Sequence, residues 1–163
     1  MPSTFRRSTS SGVKRTVGRG PRNAPMEIGW REWAALPELD VERIKVKIDT
    51  GAKTSAIHAF NIRETEHDGV LYAEFILHPE QRRAKPAIKC TAPIIDRRAI
   101  KSSNGIVQER LIIRTALVMG ERSWPIDLSL TNRDEMDYRM LVGRDALRKN
   151  IIIRPGKSFL LGA

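Results

Sequence analysis

The chain has one cysteine, no long apolar run and no acidic residue among its first 25 residues. The single cysteine, Cys90, excludes an internal disulfide and is typical of a reducing compartment. No apolar stretch approaches the roughly 18 residues that a transmembrane helix requires, and none follows the N-terminal charges as in a secretory signal. We therefore expect a cytoplasmic protein without membrane contact. A length of 163 residues suits one domain with a sizeable core.

Signatures of metal and nucleotide chemistry are also missing. There is no His-Glu-x-x-His, and His58, His67 and His78 lie 9 and 11 residues apart, which is not the spacing of a zinc site. There is no Gly-x-x-x-x-Gly-Lys-Ser/Thr loop to hold ATP phosphates. We therefore predict no metal and no cofactor. His58 is expected to be a satisfied or supporting strand residue, and Cys90 a small buried side chain.

Residues 1–25 form a basic tail. Its cations are Arg6, Arg7, Lys14, Arg15, Arg19 and Arg22, within a chain of formal net charge +10. Because the tail is rich in Ser, Thr, Gly and Pro and poor in large apolar residues, it should be disordered in isolation. Two interpretations stay open: a solvated extension, or an electrostatic arm for RNA, the ribosome or an acidic protein. Its one aromatic residue, Phe5, gives no support for base stacking.

From Met26 onward the pattern is that of short strands. Alternating or β-branched apolar runs occupy residues 44–48, 70–77 and 110–118, and turn signals occupy 67–69 and 119–122. Helix signals are almost absent, since only residues 144–149 could form a turn or two. The sequence therefore predicts an all-β fold over residues 26–163, a closed barrel or sandwich with one short helix near the C-terminus.

The stretch Ile48-Asp-Thr-Gly-Ala52 directly follows the alternating strand 44–48. A carboxylate at a strand end, followed by a small hydroxyl residue and a glycine that permits a tight turn, is how an aspartic peptidase presents its catalytic acid. Asp49 would be that acid, Thr50 would brace the loop and Gly51 would admit substrate backbone. Asp-x-Gly is also ordinary turn chemistry, so the triplet alone leaves both interpretations open.

A second segment, Met140-Leu-Val-Gly-Arg-Asp-Ala-Leu147, runs an apolar strand into a glycine. In retropepsin-like aspartic peptidases, an Asp-Thr-Gly-Ala loop is paired with a later apolar-apolar-Gly-Arg-Asp/Asn segment that threads behind it. The further stretches 28–39, 47–59, 130–134 and 155–162 resemble one bacterial family. That family was once labelled an ATP-dependent zinc protease and is now regarded as retropepsin-like. The resemblance covers residues 27–162, nearly everything outside the tail.

The resemblance implies an aspartic endopeptidase that works as a homodimer, because one chain carries only one Asp-Thr-Gly triplet. Two neighbouring carboxylates that share a proton divide the work: one deprotonates a water, and the other protonates the carbonyl oxygen of the peptide. A two-fold axis beside Asp49 would supply the second carboxylate. The implied substrate-binding residues are Ala52, Lys53 and Thr54, and the implied supporting residues are Leu141, Val142, Gly143, Arg144 and Asp145.

Peptidases of this kind also need a flap that excludes water. The best candidate for its tip is Lys101-Ser-Ser-Asn-Gly105, in which Asn104 and Gly105 would lie over the substrate. Asn-Gly is also a general hairpin signal, so an ordinary surface hairpin stays open as the alternative.

Lys53 stands where viral retropepsins usually have an acidic residue that pairs with the arginine of the Gly-Arg segment. Arg144 therefore loses its expected partner, and a swapped ion pair between Lys53 and Asp145 is one replacement. A basic residue at this position is common in the bacterial family. If Lys53 faces the substrate, it would favour acidic peptides.

Two function classes follow. The first is a retropepsin-type endopeptidase that acts on a cytoplasmic protein, one with glutamate-rich tails being a candidate. The second is a regulatory or binding module without efficient proteolysis, linked to a glutamate-ligase or ribosome-modification system, since the resembling family is associated with ATP-grasp glutamate ligases. The complete Asp49-Thr50-Gly51 triplet favours the first, because a chain freed from catalysis has no chemical reason to keep the acid.

Overall fold

The computed structural model describes residues 24–80, 85–102, 104–133 and 137–162, and most of them lie in strands. The strands are β1 (Met26–Gly29), β2 (Arg31–Leu36), β3 (Val41–Ile48), β4 (Ser55–His67), β5 (Val70–Leu77), β6 (Ile88–Lys101), β7 (Val107–Met119), β8 (Arg122–Thr131), β9 (Met140–Val142) and β10 (Ile151–Arg154). Short 3₁₀ helices span Pro37–Leu39 and Arg144–Leu147. The predicted all-β class and the short helix near the C-terminus are confirmed. Residues 1–23 of the predicted tail lie outside the described residues.

Eight of the strands form one sheet that returns to itself. Their order is β9-β3-β2-β7-β6-β5-β4-β8, and β8 also pairs with β7 while β9 also pairs with β4. β1 and β10 form a separate parallel pair. Alternation along β3 places Ile44 and Val46 in the interior, whereas Lys47 is exposed. The closed sheet therefore buries one face of β2, β3 and β5, as their alternating sequences require.

The two hairpin turns predicted from the sequence are present. Asp68 and Gly69, between β4 and β5, have φ angles of 54° and 81°, the positive values that a type I′ turn needs at both central residues. Gly120, between β7 and β8, has φ 60°. Residues that tolerate the left-handed region thus set where these strands reverse.

Cys90 and His58 have the structural positions expected of them. The Cys90 side chain is 7% exposed and its Sγ donates to the Leu39 carbonyl oxygen at 3.6 Å. Burial, with a smaller effect of Asp40, raises the pKa of the Cys90 thiol to about 11, so it is a thiol and not a nucleophilic thiolate at neutral pH. His58 is buried, and its Nδ1 accepts a hydrogen bond from the Arg133 backbone N–H at 2.9 Å.

Glu32 joins the two ends of the described chain. Its fully buried carboxylate accepts backbone N–H groups of Gly29 at 2.7 Å, Leu160 at 2.8 Å and Leu161 at 3.2 Å. Gly29 lies directly against the same C-terminal segment, because a Cβ placed there would be 2.2 Å from the Lys157 carbonyl oxygen. The stretches 28–39 and 155–162 are therefore one structural unit built around a buried carboxylate.

The variant Glu32→Gln should lower the free energy of unfolding by about 2 kcal/mol. The amide nitrogen of Gln cannot accept hydrogen bonds from backbone N–H groups as a carboxylate oxygen does. Urea denaturation followed by circular dichroism measures the difference. Glu42→Gln is the matched control, since Glu42 is exposed on β3. Equal unfolding midpoints for the two variants would show that the Glu32 bonds contribute nothing.

Candidate active site

Asp49 is the first residue after β3, and β9 lies directly behind it. Val142 pairs with Ile48 in parallel register, while Leu141 pairs with Ala56 of β4 in antiparallel register. The Asp49 N–H donates to the Val142 carbonyl oxygen at 2.9 Å. The structure thus places the apolar strand of the second segment between the two strands that flank the Asp49 loop.

The Asp49 turn orients its own carboxylate. Oδ1 accepts the Gly51 N–H at 3.1 Å, and the Ala52 N–H donates to the Asp49 carbonyl oxygen at 3.2 Å. Asp49 is half-buried, whereas Thr50 and Gly51 are exposed. The carboxylate is therefore held at the molecular surface by a tight turn, with open space beyond Thr50 and Gly51 for another molecule.

Gly143 lets the two segments meet backbone to backbone. A Cβ at this position would lie 2.7 Å from the Thr54 carbonyl carbon and 3.0 Å from the Ala52 carbonyl oxygen. The Gly143 N–H donates to the Ser55 Oγ at 2.9 Å, in the buried interior. A side chain is thus excluded at Gly143 by main-chain atoms of the Asp49 loop.

Arg144 holds the loop from the other side. Its Nη1 donates to the Thr50 carbonyl oxygen at 2.9 Å, a partner that sequence reasoning did not foresee. The Asp145 N–H donates to the Lys53 carbonyl oxygen at 3.0 Å, but the Asp145 carboxylate pairs with Arg148 at 3.2 Å. The Asp145 carboxylate therefore pairs with Arg148, and not with Lys53 as the sequence had suggested. The Lys53 side chain is exposed at the surface.

An open cleft of about 480 Å³ lies beside the loop, between residues 51–54 and residues 98–101 of β6. Three of its lining side chains are cationic, those of Lys53, Arg98 and Lys101, and none is acidic. Arg98 is fixed by ion pairs to Asp96 at 2.8 Å and Asp127 at 2.9 Å. The predicted substrate residues 52–54 line this cleft, and so does Lys101, the first residue of the predicted flap tip. Sequence reasoning missed Arg98, because pairing across the closed sheet brings it here and no local motif marks it.

The hairpin between β6 and β7 is the predicted flap candidate. The Ser102 N–H donates to the Ile106 carbonyl oxygen and the Gly105 N–H to the Ser102 carbonyl oxygen, both at 2.9 Å, and Gly105 has φ 87°. Asn104 lines a neighbouring pocket with Arg110, separate from the cleft beside the Asp49 loop. Residues 98–101, which lead to this hairpin, thus line the cleft beside the loop, and substrate contact by Asn104 and Gly105 stays a prediction.

No group of three or more His, Cys, Asp or Glu residues in the described ranges is placed to hold a metal ion. In those ranges, too, no helix has the length and apolarity that crossing a membrane demands.

A family model described as RimB-like, retropepsin-like aspartic endopeptidase RimB, matches residues 27–162. The chain belongs to the RimB-like family. The match confirms the resemblance inferred from the Asp-Thr-Gly-Ala and Gly-Arg-Asp segments, which the structure shows in mutual contact. It also accounts for the all-β fold of this RimB-like chain.

Relatives of this RimB-like chain include larger proteins. A probable alpha-L-glutamate ligase of Shewanella halifaxensis is 46% identical over 135 residues, and one of Desulfotalea psychrophila is 43% identical over 135 residues. The alignments cover 83% of this chain but only 30% and 29% of those proteins, so the chain spans less than a third of their length. A solved structure of a Legionella pneumophila protein of unknown function is 26% identical, with a TM-score of 0.69 over 83% of this chain and 98% of that one.

Proposed function

We propose that this RimB-like protein is an aspartic endopeptidase whose water-activating pair consists of Asp49 and the Asp49 of a second copy. The observation that supports it best is the Asp49 turn, which presents an oriented carboxylate at the surface and is fixed from behind by Val142. A lone carboxylate cannot act as base and acid at once, so the proposal requires a homodimer.

In the proposed reaction, one carboxylate of the pair removes a proton from water, and the resulting hydroxide attacks the peptide carbonyl carbon. The protonated carboxylate gives its proton to the carbonyl oxygen, and a tetrahedral diol forms. Collapse of the diol breaks the C–N bond as a proton passes to the leaving amine. The protein's contribution is to hold the carboxylates in place, through the backbone bonds around Asp49 and the Arg144 contact with Thr50.

The first test is cleavage itself. Purified protein is incubated with a glutamate-rich protein tail at mildly acidic pH, the fragments are identified by mass spectrometry, and the oligomeric state is measured in the same sample by sedimentation. We expect internal peptide-bond cleavage that rises with the dimer fraction. Cleavage by a strictly monomeric sample would contradict the shared pair.

The variant Arg144→Gln should lower kcat about 10-fold. Losing the charge-assisted hydrogen bond to the Thr50 carbonyl oxygen costs about 1.5 kcal/mol, and the Asp49 loop is then positioned less well. The melting temperature should fall by only a few degrees, because Arg144 is exposed and the loss is a small part of the total stability. Arg148→Gln, which removes an ion pair on the same short helix, is the matched control. Equal kcat values for both variants would show that Arg144 does not position the loop.

The cleft favours an acidic substrate. Its lining carries Lys53 and Lys101 without a carboxylate, whereas Arg98 is paired with Asp96 and Asp127. Relatives that contain a matching segment are named probable alpha-L-glutamate ligases. In those proteins, a segment similar to this chain is therefore part of a protein named for joining glutamate. Both observations support glutamate-rich protein tails as the substrate class.

The variant Lys53→Gln should reduce the preference for acidic over neutral peptides several-fold, because an exposed charge pair contributes up to about 1 kcal/mol. Values of kcat/KM for matched peptides, at low and physiological ionic strength, measure this. The effect should shrink with salt, since screening acts over about 8 Å at physiological ionic strength. Lys89→Gln, an exposed lysine on β6 outside the cleft, is the control. An unchanged preference in the Lys53 variant would show that this lysine does not contact the substrate.

A second candidate function is a regulatory module that binds a glutamate-ligase system without efficient proteolysis. This chain matches less than a third of the length of proteins named probable alpha-L-glutamate ligases. A segment that is one part of a larger ligase favours a role in binding or regulating such an enzyme. The cleavage assay separates the two, because a pure binding module would leave every peptide intact while retaining affinity for the ligase.

A further inference from the structure

The outward sides of β2 and β3 carry cations and aromatic rings in register. Arg31 lies opposite Lys47, and Trp33 lies opposite Lys45. The side chains that alternate with them on these strands are Glu32, Ala34, Ile44 and Val46, and all are buried. We call the outward set Arg31, Trp33, Arg43, Lys45 and Lys47, together with Phe159 from the C-terminal segment, the basic–aromatic face.

Aromatic rings hold the cations of this face in place. The Arg43 Cζ lies 3.7 Å from the centroid of the Trp33 ring, and the Lys45 Nζ lies 5.2 Å from it. The Arg31 Cζ lies 5.0 Å from the Phe159 centroid, and Phe159 stacks on Trp33 at 5.8 Å with an interplanar angle of 24°. Contacts of this kind orient a guanidinium or ammonium group without neutralising its charge.

The charge of the face is left uncompensated. Arg31 donates to two neutral hydroxyls, Tyr138 Oη at 3.0 Å and Ser158 Oγ at 3.2 Å. In the ranges that the structure describes, no carboxylate pairs with Arg31, Arg43, Lys45 or Lys47. Several arginines elsewhere on the sheet surface differ, since Arg63, Arg97 and Arg98 all pair with carboxylates. The cations of this face are therefore preorganised and available to an anionic partner.

We propose that the basic–aromatic face docks an acidic, Glu/Asp-rich segment of a partner protein, at a site separate from the cleft beside Asp49. Carboxylate side chains match arginine forks and lysine ammonium groups. β3 offers three such cations along one side, Arg43, Lys45 and Lys47, and Arg31 adds a fourth from β2, one strand spacing away. A nucleic-acid strand fits less well, because base stacking needs open ring faces. Trp33 is already stacked on Phe159 and covered by Arg43.

The test measures binding rather than catalysis, so it stands apart from the proposed peptidase activity. Fluorescein-labelled octaglutamate is titrated with protein at low ionic strength and followed by fluorescence anisotropy. All samples carry Asp49→Asn to prevent cleavage and Lys53→Gln to weaken the cleft. Adding Arg43→Gln, Lys45→Gln and Lys47→Gln should weaken binding about eightfold, about twofold for each charge removed.

The matched control removes three charges elsewhere, with Lys85→Gln, Lys89→Gln and Lys149→Gln, which are all exposed. It should bind as its parent does, and equal melting temperatures show that both triple variants are folded. Equal weakening in the two triple variants would overturn the proposal, because total charge alone would then explain binding. Unchanged binding in the face variant would also overturn it. So would tight binding of labelled oligouridylate, lost only in the face variant, with no octaglutamate binding.

Discussion

Replacing Asp49 with Asn is expected to lower peptide cleavage by on the order of 10³-fold or more while the melting temperature stays at the wild-type value. Asn has nearly the shape of Asp, and its Oδ1 can still accept the Gly51 N–H that fixes the turn. An amide, however, can neither remove a proton from water nor share one with a second carboxylate. The loss should therefore fall on kcat and leave the fold intact.

The control for this variant is Asp68→Asn in the turn between β4 and β5. Asp68 has φ 54°, a conformation that Asn also tolerates, so the substitution changes one charge without strain. Both proteins are assayed on one peptide across a pH series, with circular dichroism melts alongside. Activity of the Asp68 variant should match wild type and be highest at acidic pH, where one carboxylate of the pair is protonated.

A test of metal dependence can contradict the aspartic mechanism directly. The aspartic mechanism predicts that a zinc chelator leaves the rate unchanged. Inactivation by the chelator, followed by recovery on adding zinc, would overturn the assignment of Asp49 as a peptidase acid.

Replacing Gly143 with Ala is expected to lower the free energy of unfolding by about 3 kcal/mol and to abolish most activity. The added Cβ would lie 2.7 Å from the Thr54 carbonyl carbon and 3.0 Å from the Ala52 carbonyl oxygen. These are main-chain atoms, so no side-chain rotation relieves the overlap, and either β9 or the Asp49 loop must shift. A shift in the loop also endangers the bond between the Asp49 N–H and the Val142 carbonyl oxygen.

Gly156→Ala is the matched control, because a Cβ at Gly156 would meet nothing within 4 Å. Urea denaturation and peptide cleavage are measured on both variants. The Gly156 variant should behave as wild type in both assays. If the Gly143 variant did so too, the close packing of the Gly-Arg-Asp segment against the loop would not matter for stability or activity.

The Asp49 prediction rests on features that local sequence identifies well. Alternation in residues 44–48 predicts a half-buried strand because side chains point to opposite faces at every second position. Asp68-Gly69 predicts a reversal because both residues tolerate positive φ. The Asp-Thr-Gly-Ala and Gly-Arg-Asp segments, in that order, identify the RimB-like family, and with it the all-β fold.

Contacts between distant segments could not be predicted in the same way. The partner of Arg144 is a backbone carbonyl 94 residues earlier in the chain, and a main-chain oxygen leaves no mark in the sequence. In the sequence, Glu32 looks like an ordinary charged residue of an alternating strand. Its carboxylate is nevertheless buried, and it accepts hydrogen bonds from backbone N–H groups 128 and 129 residues away. Burial of a charge is explained only by partners that the closed sheet brings to it.

The sequence by itself therefore determined several of the strands, two hairpin turns, the family and the acid at the end of β3, because each depends on a local period or a short motif. The tertiary structure decided which groups surround that acid: the glycine behind Thr54, the arginine on the Thr50 carbonyl, and Arg98 and Lys101 across the cleft. It also decided which cations are neutralised, on β6, and which are held by rings, on β2 and β3. The physical reason is that closing the sheet fixes the neighbours of each side chain. Those neighbours decide whether a charged group is paired with a carboxylate or is held by an aromatic ring with its charge uncompensated.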